Sequence, residues 1–426
     1  LSDEQKAILA GVGDSLNQAV SSGARPVEFN ENEVLYKFID TLGYDSVLVY
    51  STNPDSANYR VTFSEVGQGN GNYILLNTVA NGRVYAWVAP SPTGIKQGDF
   101  APVTLLFAPK QKQMISLGGN YKFNKTSTLK FETAISNNDI NTFSDKDKND
   151  DIGYSEKINW NNQIDLNKNG KWALVPEVGY ERWSKYFTEI ERVRTVEFYR
   201  DWNLRDVKLT DDQNIANAAL SLKKGKKGAL KYQWNGFYSG KEYNANKHEI
   251  YVDWKGKGLF VDIDGYLLES TGTLSKTQFI RHRSLIQQRL WLFNVGYRDD
   301  REDNQISDQL GDTLSAATYR FWEREFFVKS LDSNALQYKV FYNQRDDEKV
   351  RGNKEVPVTY GESVGVSFDW KKNRTIQLAS KTTYRTLDIK DSSLTSQKKD
   401  NNLLSRLEYT LRLFKGAITA SSFYEI

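Results

Sequence analysis

The chain has 426 residues, with 57 basic against 54 acidic side chains for a formal net charge of +3, and no cysteine. That balance gives no electrostatic ground for a nucleic-acid partner, and the lack of thiols excludes a disulfide framework and thiol chemistry. The mean hydropathy of −0.63 and the lack of any apolar run of about 18 residues exclude a transmembrane helix, but not a span built from strands, which need an apolar residue only at every second position.

Ile8, Leu9, Val12, Leu16 and Val20 recur at helical spacing, and Ser2-Asp3-Glu4-Gln5 can cap such a helix at its start. A short amphipathic helix packed on its neighbour is expected, followed by SSGARP as a linker, so that residues 1–27 form helix and linker. The opening LSDEQKAILAGVGDSL has early acidic residues and no apolar core of the signal-peptide type. A chain that begins after cleavage, or an internal part of a longer one, is expected.

Residues 28–110 then read as a small β-sandwich of immunoglobulin-like size. Strand patterns run over Val34 to Leu42, Ser46 to Tyr50, Tyr59 to Val66, Asn72 to Thr78, Val84 to Val88 and Val103 to Phe107.

From residue 111 to 426 the pattern changes to longer alternating segments. Ile250, Val252 and Trp254 oppose Glu249, Tyr251, Asp253 and Lys255, and Leu407, Tyr409, Leu411 and Leu413 oppose Arg406, Glu408, Thr410 and Arg412. Successive strand side chains face opposite ways, so one face is lipid-like and the other wet. Short turns are expected at NKTS (Asn124), NKNG (Asn167), KKGKKG (Lys223), KGKG (Lys255), LDSN (Leu331), KKNR (Lys371) and FKG (Phe414). Longer loops are expected at SNNDINTFSDKDKNDDIG, GKEYNANKH, DDREDNQISDQLGDT, QRDDEKVRGNKE and KDSSLTSQKKDNN. Short turns at one end and long loops at the other predict an all-β chain whose main part is a transmembrane antiparallel β-barrel of about 14–18 strands in the bacterial outer membrane, long loops extracellular. Aromatic residues near strand ends fit membrane girdles. Glu191 to Leu204 reads as a strand or a loop, and Phe279 to Tyr297 is too long for one strand. The last residues still alternate, which leaves closure within these residues open.

Chemistry-bearing motifs are few. His282 lies in FIRHRSL near Ser284, but no oxyanion element accompanies the pair, and no catalytic residues are assigned. In DKDKNDDIGYSE, Asp145, Asp147, Asn149, Asp151 and Glu156 fall at positions 1, 3, 5, 7 and 12, the spacing of a calcium loop, and Ca2+ is the one cofactor considered. Asp150 stands where such loops carry Gly, and the flanks read as strands, so a solvated acidic loop is the alternative. Polar residues such as Glu177, Glu181, Asp262 and Asp264 face inward and either line a channel or pair with one another.

The stretch RVTFSEVGQGNGNYILLNTVANGRVYAWVAP, then IKQGDFAPV and ISLGGNYKFNKTSTLKFETAISNNDINTFSDKDKNDDIGYS, resembles large outer-membrane β-barrel envelope proteins of Bacteroidota (Flavobacterium-type bacteria) that carry a preceding β-sandwich. The resemblance covers residues 45–200 and, more loosely, the rest. It implies a non-enzymatic structural or accessory subunit of a protein-export or outer-membrane assembly complex, with outer-membrane lipid or lipopolysaccharide and other envelope proteins as partners. A porin or solute channel is the alternative, and a surface adhesin or glycan-binding β protein the second alternative.

Overall fold

The computed structural model describes the chain apart from residues 77–81, 168–170, 206, 310–312, 334, 373–374, 392–397, 415–417 and 426, and apart from the side chains at 371, 372, 413 and 423. It divides into two compact units, one of Leu1–Met114 with Ser136–Gly153 and one of Ile115–Ile135 with Tyr154–Ile426.

The first unit opens with α1 (Asp3–Val12), whose start is closed by a capping box. The Ser2 hydroxyl accepts from the Gln5 N–H, and the Gln5 side chain accepts from the Ser2 N–H. Leu9 is fully buried against Ala19, Leu106 and Ala108, so the helix packs on its neighbours. Ten short strands follow: β1 (Val20–Ser22), β2 (Ala24–Pro26), β3 (Tyr36–Thr41), β4 (Tyr44–Tyr50), β5 (Tyr59–Val61), β6 (Ser64–Glu65), β7 (Tyr73–Leu76), β8 (Val84–Trp87), β9 (Phe100–Ala101) and β10 (Val103–Leu105). The expected linker SSGARP is thus strand: β1 pairs with β10 and β2 with β5. Both partners are remote in sequence, which is why the local composition read as a linker.

Two four-stranded sheets result, in the orders β2-β5-β3-β4 and β6-β9-β7-β8. Tyr36, Leu48, Tyr73 and Tyr85 form their common core, with Phe63, Trp87 and Phe100 against it. Two buried tyrosine hydroxyls bond across this core, Tyr73 accepting from the Leu48 N–H at 3.0 Å and Tyr36 from the Tyr85 N–H at 2.9 Å. Satisfying both hydroxyls removes the penalty of burying them, so an aromatic sandwich core is stable here.

Among the described residues the large sheet has 17 strands, in chain order from β11 to β27. They are β11 (Gln111–Lys122), β12 (Ser127–Asp139), β13 (Ile152–Asn162), β14 (Ile164–Asp165), β15 (Ala173–Trp183), β16 (Gln213–Lys223), β17 (Gly228–Ser239), β18 (Tyr243–Gly256), β19 (Leu259–Gly272), β20 (Ser275–Leu290), β21 (Phe293–Asp308), β22 (Tyr319–Ser330), β23 (Leu336–Arg351), β24 (Lys354–Lys372), β25 (Ile376–Ile389), β26 (Lys399–Leu413) and β27 (Ile418–Glu425). β14 continues β13 past Gln163 in unchanged register against β15. Among the described residues β11 and β27 are the two ends of the strand order.

The two faces differ as alternation requires. Tyr297, Phe326, Tyr342, Val364, Tyr384 and Leu403 form one continuous row across six strands of the apolar face. The opposite face carries rows such as Asn235, Lys247, Leu268, Phe279, Asn304 and Tyr319.

Three expectations need correction. GKEYNANKH is a tight turn at Gly240 (φ +49) followed by β18, and QRDDEKVRGNKE continues β23 into β24 through Gly352 and Asn353, with φ of +55 and +64. DDREDNQISDQLGDT is likewise strand up to Asp308. Two positive-φ residues make the two-residue hairpin turn that matches strand twist. The charges find partners across the strands: Arg320 pairs with Glu348, Arg324 with Asp346, and the Tyr342 and Tyr360 hydroxyls donate to Glu362 at 2.6 and 2.8 Å. The hydrophilic sequence is therefore a charged extension of the sheet beyond its apolar rows. Phe279 to Tyr297 holds a hairpin turning at Trp291-Leu292, whereas Glu191 to Leu204 is no strand. The turns expected at Asn167, Leu331, Lys371 and Phe414 fall partly outside the described residues.

Candidate functional site

The connection between β15 and β16, residues 184–212, does not leave the sheet. It folds onto the polar face. Its two ends are tied first: Asp212 accepts from the Arg182 guanidinium at 2.8 Å and from the Lys185 N–H at 2.9 Å, and Glu242 accepts from the Thr210 N–H at 2.7 Å and from its hydroxyl. These bonds hold the carboxyls of Asp212 and Glu242 below their ordinary range, the Arg182 and Thr210 side-chain bonds contributing most.

Between the ties lies a one-turn helix, α2 (Phe198–Asp201), and the apolar pair Trp202 and Leu204, which are 4% and 1% exposed. They pack on Phe237, Tyr243, Ala245, Leu268 and Phe279 from four consecutive strands. These five belong to the polar face by register, so the sheet places an apolar island in a wet surface to receive the segment.

Polar contacts surround the island. Asn203 and Asn304 exchange amide hydrogen bonds in both directions at 2.9 Å, and the Tyr243 hydroxyl donates to the Trp202 carbonyl. Asp201 meets the Tyr266 hydroxyl at 3.3 Å and the Arg281 guanidinium at 3.7 Å. The Lys247 ammonium lies 4.6 Å from the centre of the Trp202 ring while pairing with Glu249 at 3.0 Å. Arg194, 7% exposed, is clamped between the Trp183 and Phe198 rings at 3.9 and 4.3 Å, with Glu181 at 3.6 Å. Burial lowers its pKa and the Glu181 charge counters that effect. A guanidinium remains protonated through either influence.

Beside the segment is a cavity of about 560 Å³ lined by Arg200, Asn203, Arg205, Thr277, Asn304 and Tyr319, among others. The site therefore combines fixed cations, amides and hydroxyls with an ordered backbone over the polar face. Sequence reasoning singled out Glu177, Glu181, Asp262 and Asp264 on this face but missed the segment. Its only sequence signal is its length together with aromatic residues outside any period.

The acidic motif of the first unit folds differently from a calcium loop. Among the described residues the carboxylates that converge are those of Asp14, Asp150 and Asp151, with ligand oxygens within 4.8 Å of one another. Asp151 is thus joined by Asp150, at the position expected for Gly, and by Asp14 just beyond α1. Asp145, Asp147 and Asn149 are exposed, and Glu156 lies on β13, opposite Arg182. Asp147 takes a left-handed backbone (φ +57), and its carboxylate accepts from the Asp14 N–H at 3.3 Å. Glu156, the twelfth position of the motif, is extended in β13.

Residues 139–151 also close the carbonyl end of α1. Asn141 donates its amide to the Leu9 and Gly13 carbonyls at 2.8 and 2.6 Å, the Ser144 hydroxyl donates to Ala10 at 2.9 Å, and Lys146 donates to Gly11 at 2.6 Å. These side chains satisfy carbonyls that a helix end leaves open. Burial first, then Asp150, Asp151 and Asp147, raises the Asp14 pKa. Burial, Asp139 and Asp150 raise that of Asp151 against the opposing Lys148. Three close carboxylates are a hard-oxygen donor set that can chelate a divalent cation such as Ca2+.

No family model matches the chain, and no curated protein matches it. Among solved structures it is similar to OmpT (in-vitro folded), an outer membrane protein of Vibrio cholerae, at 9% identity over 74% of this chain and 96% of that one, with a TM-score of 0.27. It is similar to Pseudomonas aeruginosa OccK5 (OpdH) at 11% identity over 74% and 94%, with a TM-score of 0.29. BauA, the ferric preacinetobactin receptor from Acinetobacter baumannii, matches at 10% identity over 81% and 59%, with a TM-score of 0.26. At these values the likenesses carry no argument about what this chain does.

Proposed function

We propose that this chain is a non-enzymatic outer-membrane β-barrel that works as a solute channel, with residues 184–212 narrowing its polar interior. One observation carries the reading: that segment is fixed onto the wet face of the sheet by the Trp202–Leu204 island and the Asn203–Asn304 pair, while the other face presents rows of exposed apolar side chains. An apolar outer face suits lipid, and a wet inner face suits solute. Charged and amide groups held around a narrowing can exchange hydrogen bonds with a passing polar solute. The channel reading ranks above the accessory-subunit one because a subunit built for contacts alone gains nothing from an ordered polar constriction. The end that carries residues 184–212 belongs outside, and the opposite end, with short turns such as Lys224–Lys227 and Lys257-Gly258, on the periplasmic side.

Purified protein added to a planar lipid bilayer is expected to give steady conductance steps. Insertion without current above the bare bilayer would overturn the channel. Release of the native protein into the soluble fraction without detergent would overturn the membrane reading itself.

A further inference from the structure

On the short-turn end of the sheet, neighbouring hairpins concentrate cations at the rim of the apolar face. The β16–β17 turn presents Lys224, Lys226 and Lys227 and the next presents Lys257, with Lys171 beside the first, whereas Lys223, Lys255 and Arg289, at the adjoining strand ends, share the polar face by register. Among the described residues Lys171, Lys224, Lys226, Lys227 and Lys257 make no ion pair. This differs from the opposite end, where charges of both signs pair across strands.

Aromatic rings lie among these cations. The Lys224 ammonium is 4.5 Å from the centre of the Trp172 ring and 5.2 Å from that of Trp254. Trp254 shares its row with Val261 and Ile286, so it belongs to the apolar face. On the next hairpin of this end, Trp291 is 86% exposed between Leu290 and Leu292, themselves exposed. Indole rings settle at the headgroup level of a bilayer, and ammonium groups beside them lie at the depth of the phosphates. Backbone bonds from Lys255 N–H to the Lys227 carbonyl at 2.6 Å and from Arg289 N–H to the Gly258 carbonyl at 2.8 Å join these hairpins into one continuous surface.

We propose that this Lys/Trp rim binds the phosphates of anionic phospholipids in the leaflet that meets the short turns, making the protein select them over zwitterionic lipid. The inference rests on the membrane reading above. Unpaired cations gain most from an anionic surface, and rings that already carry an ammonium hold it at the rim.

The test uses the full chain in nanodiscs made from phosphatidylcholine alone and from a mixture with phosphatidylglycerol, followed by native mass spectrometry of the lipids that remain bound after detergent extraction. Wild type is expected to retain phosphatidylglycerol preferentially. Replacing Lys224, Lys226 and Lys227 together by Gln should lower that preference at least about tenfold, since each basic residue near an anionic surface contributes about fivefold. Replacing Lys241 and Lys276, at the other end, should leave it unchanged. Equal retention of both lipids by wild type, or equal loss in both variants, would overturn the rim site. Failure of wild type to enter either nanodisc would instead remove the membrane reading on which it rests, and thermal melting of each variant separates lost lipid from lost fold.

Discussion

Leu204→Ala is the sharpest perturbation of the segment docked on the polar face. Leu204 is 1% exposed, and it reaches the sheet from a connecting segment instead of a strand. Truncating a buried leucine costs about 2–5 kcal/mol, part transfer and part residual cavity. The strand ladder does not depend on the segment, so the loss falls on the equilibrium between segment docked and segment released. Even the lower figure moves that equilibrium by about thirtyfold. The remaining ties do not compensate, because net hydrogen bonds such as Asn203 to Asn304 contribute only about 0.5–1.5 kcal/mol each.

Single-channel recording is then expected to show larger or flickering conductance, and amide exchange at 198–204 should accelerate while the strands keep their protection. Asn203→Ala serves as the milder comparator, with a smaller shift in the same direction. The reasoning fails if Leu204→Ala lowers the melting temperature of the whole sheet but leaves conductance and local exchange untouched. That result would make the leucine an ordinary core residue.

Three other outcomes follow from the same structure. Gly296 lies under the Phe327 ring, where an added Cβ would collide with the aromatic carbons, so Gly296→Ala should destabilise the second unit by about 1–3 kcal/mol in denaturant unfolding; unchanged stability would mean that the ring is free to move. Gly13 combines φ +59 with the Asp147 carboxylate against its α-carbon, so Gly13→Ala should detach residues 139–151 from α1 and expose their amides to exchange, whereas retained protection would show that the approach is not needed. Asp14 and Asp151 have folded pKa values above the ordinary 3.8, so their contribution to stability is full below 3.8 and is lost as pH rises through the folded value. Protection factors at residues 139–151 should therefore fall between mildly acidic and neutral pH, Asp14→Asn should flatten that slope, and Ca2+ should restore protection at neutral pH if the three carboxylates hold it; a flat profile in wild type would contradict the burial argument.

How much of this was legible in the sequence depended on where each residue finds its partner. The period-two alternation of β18 or β26 needs no partner to be seen, and neither does the Ser2–Gln5 cap, whose two bonds span three residues. QRDDEKVRGNKE read as a loop because its charges lacked local neighbours, yet Arg320 finds Glu348 and Arg324 finds Asp346 across the β22–β23 ladder. The acidic motif had the spacing of a calcium loop, but its outcome was decided by Asp14, which approaches it from the end of α1. The docked segment is the extreme case: Asn203 meets Asn304 from 101 positions away, and Trp202 has no period to announce a buried face. Chain separation therefore hides polar partnership more than apolar burial, since apolar residues reveal their face by rhythm and polar ones reveal theirs only through a specific mate. Here the aromatic run around Trp202, which fits neither the alternation nor a turn, belongs to the segment folded back onto the polar face.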